Sequence, residues 1–388
     1  MEACVVGEAS ILIGPLPFLL YRAGFAVDVI TTSALPRASR FVRKVDQLDT
    51  ADAMMELAWE RISHRDRPYD WVIACDDPTL WKLNCLDWPE GREPRYLARN
   101  RVGKPGHIYS KIGLSHALAK GGVQTPAYRV VESCEEALTA AQELGYPVLV
   151  KTDSDRGGFG VRRCANEKDV LALERRFRAQ PLLVQRLITG RELDLSAIFF
   201  DGKLVHFAYS QVERATRESQ AVSAVRTYFP LPLVENAVFE ELVRLGQALD
   251  ANGCVNITCI DAVDGSGRYY FEADMRPNAW VDMSRFYSED AAERIRRWFT
   301  ARETLCRESL GDGTDDVPVQ MAHFLRVQPW ELLLNRFGVW RFIPWNDRSV
   351  VLRQICARLL MPFSRLMMPK RARKLMRRAL VAARITFP

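Results

Sequence analysis

A lysine that closes an apolar run is the residue whose setting most demands a reason. Pro147 to Lys151 reads PVLVK, and a polar turn with Gly157, Gly158 and Gly160 follows. A Lys inside an apolar strand loses hydration unless an anion meets it. Glycine backbone N–H groups can hold phosphate oxygens at close range. The stretch reads as a polyphosphate grip, or else as a hairpin with a glycine turn and a Lys that reaches water. Further on, the strand Val255 to Val263 carries Asp261. The turn Asp264-Gly-Ser-Gly267 reverses the chain, and Arg268 to Ala273 returns with Glu272, before Asp274 and Arg276. Glu272 and Asp274 share a face at period two. Three carboxylates converging on one hairpin repel unless a cation neutralises them, and Mg2+ takes carboxylate oxygens with phosphate oxygens and water; Mn2+ suits the same oxygen set. The alternative is an exposed hairpin with charges on its wet face. Ile257, Ile260, Tyr270 and Phe271 argue against that, because they make both strands core-attached.

The elements that position these residues follow from pattern. Ala3–Val6, Phe25–Ile30 and Trp71–Cys75 read as strands, with Ala51–Ile62 at helical spacing between the last two. Such alternation implies a parallel sheet, whose ligands lie beyond the carboxyl ends of strands. Asp76 and Asp77 sit there, as ligand contacts or simply as a helix cap. Arg99 to His107 reads as a linker, and Ser110–Lys120 as a helix ended by Gly121-Gly122. A strand Ala127–Val131 follows, then a helix from Ser133 with Glu136 at capping-box spacing, stopped by Gly145. Leu182–Gln185 and Leu193–Phe200 read as strands, and Asp201-Gly202 as a hairpin turn into Lys203–Tyr209. Glu213 to Arg226, with Arg214 and Arg217, reads as a loop facing an anion or as a solvated surface. Val234–Ala251 is an amphipathic helix.

Composition narrows the class. With 388 residues, 48% hydrophobic and 26% charged, the chain is sized for two or three domains of an ordinary globular enzyme. Nine cysteines without a C-x-x-C pair argue against a disulfide scaffold or zinc site and for a reducing cytosol. No signal peptide or membrane span is expected, nor any G-x-G-x-x-G or P-loop. From Arg348 to the end there are 11 Lys and Arg and no Asp or Glu, leaving 43 basic against 48 acidic residues elsewhere. The body is mildly acidic and the basic character belongs to the tail.

In order and spacing these pieces resemble the ATP-grasp superfamily, of carboxylate–amine ligase type, over roughly Lys111 to Asn278. The resemblance implies an α/β (α+β) ATP-grasp fold: a Rossmann-like pre-ATP-grasp domain over 1–106, an ATP-grasp domain over 107–329 with lobes 107–184 and 185–329, and a basic helical extension over 330–388. It implies that Lys111 and Lys151 contact ATP phosphates and that Gly157, Gly158 and Gly160 fold over them. Gln185 and the backbone of Arg186, Leu187 and Ile188 would meet adenine, and Glu192 the ribose hydroxyls. Asp261, Glu272 and Asp274 would hold Mg2+ (or Mn2+), with Asp replacing the Asn usual at position 274. Arg276 would steady a negatively charged intermediate, with Lys151 beside it in catalysis. The implied reaction joins a small-molecule carboxylate to an amine (or thiol) through an acylphosphate, releasing ADP and phosphate. A small-molecule phosphotransferase and a nucleotide-binding regulator without turnover are the alternatives.

Past about residue 330 the resemblance ends. Trp330 to Trp345 is rich in Trp, Phe and Leu. Beyond Pro369, residues 369–386 form a basic amphipathic pattern with Ala372, Leu375, Met376, Ala379 and Ala383 on one face. Such a helix lies on an anionic membrane, docks an acidic partner, or packs on its own acidic body. Nucleic acid is not expected, because aromatics do not interleave with the charges. The expected location is cytoplasmic, at large or at the inner face of the membrane.

Overall fold

The computed structural model describes residues 1–100, 106–154, 160–173, 181–216, 223–310 and 316–367, with side chains to residue 359. Gly157, Gly158, Arg217 and the tail pattern 369–386 lie outside the described residues.

The first part is a parallel sheet with helices. Its elements are β1 (Glu2–Gly7), α1 (Ser10–Ile13), α2 (Leu16–Arg22), β2 (Ala26–Thr31), β3 (Lys44–Gln47), α3 (Ala51–Ser63), β4 (Trp71–Ala74) and α4 (Asp77–Cys85). Strand order is β3-β2-β1-β4 with every pair parallel. The nearly continuous apolar strands are buried on both faces, as a parallel sheet requires.

The second part opens with α5 (Lys111–Lys120), β5 (Tyr128–Val131), α6 (Cys134–Leu144), β6 (Val148–Thr152), β7 (Val161–Cys164), α7 (Glu167–Leu171) and β8 (Leu182–Arg186). The strands form an antiparallel sheet in the order β5-β8-β6-β7. Ser133 caps α6 through the Glu136 N–H, and Gly145 stops it at φ +79°. Glu136 reaches back to the Glu132 N–H, one residue short of a closed capping box. Val148, Val150, Leu182 and Val184 pack with Ala137, Ala141 and Leu144 in one core. Strand alternation then turns Leu149, Lys151 and Gln185 to the opposite face.

A six-stranded antiparallel sheet completes the body. It contains β9 (Gly190–Phe200), β10 (Lys203–Ala215), β11 (Ser223–Phe229), β12 (Gly253–Ala262), β13 (Arg268–Asp274) and β14 (Val319–Ala322), in the order β13-β12-β9-β10-β11-β14. The helices α8 (Asn236–Leu249), α9 (Ala291–Ala301), α10 (Pro329–Leu333) and α11 (Arg348–Met367) surround it. One face carries Leu193, Leu195, Ala197, Phe199 and Ile257 into a core shared with Leu242 and Leu245 of α8. The other begins with Asp194 and Ser196, then gives Ile198 and Phe200 to a core shared with α2, α9 and β1. The six-stranded sheet thus ties the parallel domain to the rest of the body.

Two features depart from the pattern-based reading. The segment from Glu213 to Arg226 is not a surface loop at its ends: β10 runs through Ala215 and β11 starts at Ser223, with Arg226 only 2% exposed. The expected boundary at 184/185 also falls inside a strand, since β8 runs to Arg186, and α5 packs on β13 and α8. The chain enters the four-stranded sheet after Gln124 and leaves it at Thr189. Both points are pinned to the β12–β13 hairpin: Gln124 O accepts from Tyr270 N (2.8 Å), and Thr189 O accepts from Val263 N (3.1 Å). Gly190 permits the exit, because a Cβ there would lie 2.1 Å from the Asp261 carbonyl oxygen.

Candidate functional site

Lys151 is 5% exposed on the cleft face of β6. Its ammonium donates to Gln185 Oε1 at 2.6 Å and stands 5.1 Å from the Phe271 ring centroid on β13. Burial pulls its pKa down to about 8, against the pull of Glu272, while Lys111 adds to the depression. Gln185 is 1% exposed and its Nε2 has no partner among the described residues. Buried donors left unpaired are rare in native proteins, so this amide fits a ligand acceptor such as a purine edge.

Lys111 begins α5. Ser110 caps that helix, and Asp153, just past β6, accepts from Ser110 Oγ (2.9 Å) and Ile112 N (2.8 Å). Lys111 Nζ donates to the Asp153 carbonyl at 3.2 Å. Lys111 and Lys151 thereby belong to one electrostatic neighbourhood with Glu272. Gly160 is buried, and its carbonyl accepts from Thr152 N. Arg186 N and Leu187 N are already engaged by Ala127 O and Pro147 O, which leaves Gln185 as the better candidate for the base. Ile188 is half-buried.

The acidic side of the cleft is built by register. Thr258 faces Glu272 on β13 and Asp194 on β9, while Asn256 faces Asp274 and Ser196. After Glu272 the register jumps, since Cys259 faces Tyr270; Phe271 is an extra residue, a β-bulge. The bulge sends Tyr270 to the α8 side, where its hydroxyl donates to Glu241, and leaves Glu272 and Asp274 on the cleft side. Glu272 opens into the cleft yet is ringed by protein; its pKa is raised by burial and Asp194, against Arg276, Lys151 and Lys111. Burial lifts Asp274 to about 8 in spite of Arg276. Glu192, one step out from Asp194 on the same face, is pushed up to about 7 by burial, Asp194 and Glu272.

Asp261 corrects the expected convergence. It shares the sheet face of Cys259 and Leu193, opposite that of Thr258 and Asp194, and its Oδ2 accepts from Arg191 Nη2 at 2.5 Å. Thr258, not a third carboxylate, sits across from Glu272. Among the described residues no group of three or more His, Cys, Asp or Glu is arranged to hold a metal by itself. A magnesium ion held chiefly by phosphate oxygens needs only one or two protein carboxylates, and Glu272 with Asp274 fits that role.

Arg276 links the six-stranded sheet to α4 beside the parallel sheet. Its Nη2 donates to Asp274 Oδ2 (2.6 Å), and its Nε to both oxygens of Asp77 (3.0 Å each) at the start of α4. Asp76 caps α4 through Thr79 N and also accepts from Glu8 N. Pattern reasoning missed Asp194. It is buried at the centre of the polar face, accepting from Thr258 Oγ1 (2.9 Å) and from Arg226 Nη2. The signal was present, since Asp194 interrupts an apolar alternation on the face that Glu272 shares.

Known proteins share this fold. Residues 111–190 fit the family model of the carbamoyl-phosphate synthase L chain, ATP binding domain. A stretch of 153 residues is 31% identical to the carbamoyl phosphate synthase large chain of Lachnoclostridium phytofermentans; it covers 37% of this chain and only 14% of that protein. The chain also superposes on N5-carboxyaminoimidazole synthetase from Staphylococcus aureus complexed with ADP, with TM-score 0.58 and 13% identity over 79% of this chain and 78% of that one. It superposes likewise on L-amino acid ligase from Bacillus licheniformis, with TM-score 0.54 and 17% identity over 82% and 78%. The chain is built on the ATP-grasp fold, and the α/β reading of the sequence holds.

Proposed function

We propose that this chain is an ATP-dependent carboxylate–amine ligase that activates a small-molecule carboxylate as an acylphosphate and releases ADP and phosphate. The observation that carries the reading is Lys151: a buried ammonium on one lobe, beside an amide with an unpaired N–H, facing Glu272 on the other. An anionic ligand bearing a cation satisfies both sides at once. The ligases among proteins of similar fold support the choice of reaction.

In this reading Gln185 receives the base, Glu192 accepts from ribose hydroxyls, and Lys151 and Lys111 hold phosphate oxygens. Glu272 and Asp274 hold Mg2+ (Mn2+ serves the same oxygens). The ion, when bound, offsets phosphate charge during phosphoryl transfer. Arg276, fixed by Asp77, presents a guanidinium where the acylphosphate charge develops. An amine then attacks the acyl carbon and phosphate leaves.

Incubation of the purified chain with Mg-ATP and a panel of carboxylates and amino acids tests this, with ADP release and product mass measured. ADP, phosphate and an amide are expected. A stable phosphorylated substrate would make it a phosphotransferase; nucleotide binding without turnover would make it a regulator.

We propose further that the C-terminal part touches an anionic membrane surface. Trp330, Leu333, Leu334, Trp340, Trp345 and Leu352 are 42–71% exposed within a short span, and the basic end of the chain follows them. Indoles and leucines beside cations suit a membrane interface. No helix among the described residues is long and apolar enough to cross one.

A further inference from the structure

A row of side-chain amides runs behind the acidic side of the cleft, and the nucleotide reading uses none of it. Asn278 lies two residues past Arg276 and is buried. Its Oδ1 accepts from Trp280 N (3.0 Å) and from Ser196 Oγ on β9 (2.9 Å). Its Nδ2 donates to Asn256 Oδ1 on β12 (2.7 Å). Asn256 Nδ2 in turn donates to Asp274 Oδ2 on β13 (3.4 Å). The row crosses three neighbouring strands, because Asn256 stands in register with both Ser196 and Asp274.

The direction of the row is fixed at one end. Which edge of an amide faces where follows from its partners. The Trp280 backbone N–H can only donate, so the Asn278 atom that meets it is oxygen. The Asn278 nitrogen then faces Asn256, whose oxygen turns to receive it, and Asn256 is left with a nitrogen for Asp274. A lone Asn presents either edge equally well; in this row only the donor reaches the carboxylate. Arg276 Nη2 donates to the same Oδ2 at 2.6 Å. Two donors thus converge on one oxygen of Asp274, and no hydrogen bond among the described residues reaches its Oδ1.

We infer that Asn256 and Asn278 are positioning residues for Asp274: the amide row holds Oδ2 in the protein and keeps Oδ1 as the single oxygen offered to a divalent cation. That a cation sits there rests on the nucleotide reading; the orientation of the carboxylate does not. One oxygen suits Mg2+, which takes few protein carboxylates in near-octahedral geometry, whereas Ca2+ also accepts both oxygens of one carboxylate. The row is therefore a device for metal selectivity, built from residues that touch no ligand.

The test uses the full chain and needs no turnover. Wild type, Asn256→Ala, Asn278→Ala and the double variant are titrated calorimetrically with MgADP, with CaADP, and with ADP in the presence of EDTA. Asn256→Ala is expected to lower MgADP affinity about 5- to 10-fold, on the order of one hydrogen bond. Metal-free ADP should stay within about 2-fold, and CaADP should lose less than MgADP, so the Mg2+ to Ca2+ preference falls. Because Asn278 acts through Asn256, the double variant should match Asn256→Ala within about 2-fold. Equal losses for all three ligands would show that the amides serve only packing and would overturn the assignment. So would unchanged MgADP affinity in Asn256→Ala, or additive losses in the double variant. Asn256 is only half-buried, so Asn256→Ala is expected to fold and decides the matter even where Asn278→Ala does not. Wild type that binds ADP no better with Mg2+ than without would instead sink the metal reading itself, and this inference with it.

Discussion

Arg276 on the six-stranded sheet is bonded through its Nε to both carboxylate oxygens of Asp77, 199 residues away in the chain. The same guanidinium holds Asp274. One side chain thus holds two acids, Asp77 of α4 and Asp274 of β13, each about one-fifth exposed. Arg276→Met strands both acids and is expected to lower stability by about 3 kcal/mol. Asp77→Asn keeps an acceptor for the guanidinium and is expected to cost about 1 kcal/mol. Urea unfolding checks this; unchanged midpoints in both variants would show that the bridge contributes nothing.

The opposite placement of Glu272 and Asp261 gives a second test. Glu272→Gln is expected to lower ADP release at least 100-fold, by loss of the cleft carboxylate that faces both lysines. Asp261→Asn, on the far face and paired with Arg191, is expected to change it less than about 2-fold, since exposed ion pairs contribute little. Comparable losses in the two variants would refute the register-based assignment.

Lys151 sets stability against binding. Its pKa is about 8 in the folded chain, against the ordinary 10.5. Below pH 8 folded and unfolded chains both hold the proton, and the burial cost is fully present. Between about pH 8 and 10.5 the unfolded chain binds more protons, so stability from this group rises with pH, by about 3 kcal/mol in all. Lys151→Met is therefore expected to stabilise the nucleotide-free chain at pH 7 and to lose that advantage by pH 10.5. Its ATP affinity is expected to fall at least 10-fold, and wild-type affinity should weaken above about pH 8. Calorimetry with and without ATP decides; a destabilised Lys151→Met protein at pH 7 would contradict the argument.

The exposed indoles of the C-terminal part give a fourth. Sedimentation with vesicles of neutral lipid, with and without an anionic lipid, should show binding only in the second case and its loss at high salt. Trp330→Ala with Trp340→Ala should weaken it. No binding to either vesicle would leave a protein partner or the chain's own body as the occupant of that surface.

Much of the fold was legible because the local signals were strong. Apolar runs marked β1, β4 and β6, Gly145 and Ser133 marked the ends of α6, and Asp201-Gly202 marked a hairpin whose residues take φ +53° and +72°. Glu272, Asp274 and Lys151 were legible as charges in apolar surroundings. Asp261 was misread because a single bulge at Phe271 breaks the period-two count, and no residue type announces a bulge. Arg226 looked like part of a polar surface segment. Its burial depends on β11 pairing with β10 and β14, contacts that one-dimensional spacing does not reveal.

The two pins at Gln124 and Thr189 have a mechanical meaning. Both passages of the chain into the small sheet are fastened to the same ribbon, β12–β13. The helix α5, bonded to Asp153 just past β6, rests on that ribbon as well. The strand that carries Lys151 is therefore moored to the ribbon that carries Glu272, so a change in the ribbon's bulge would be felt at both sides of the site.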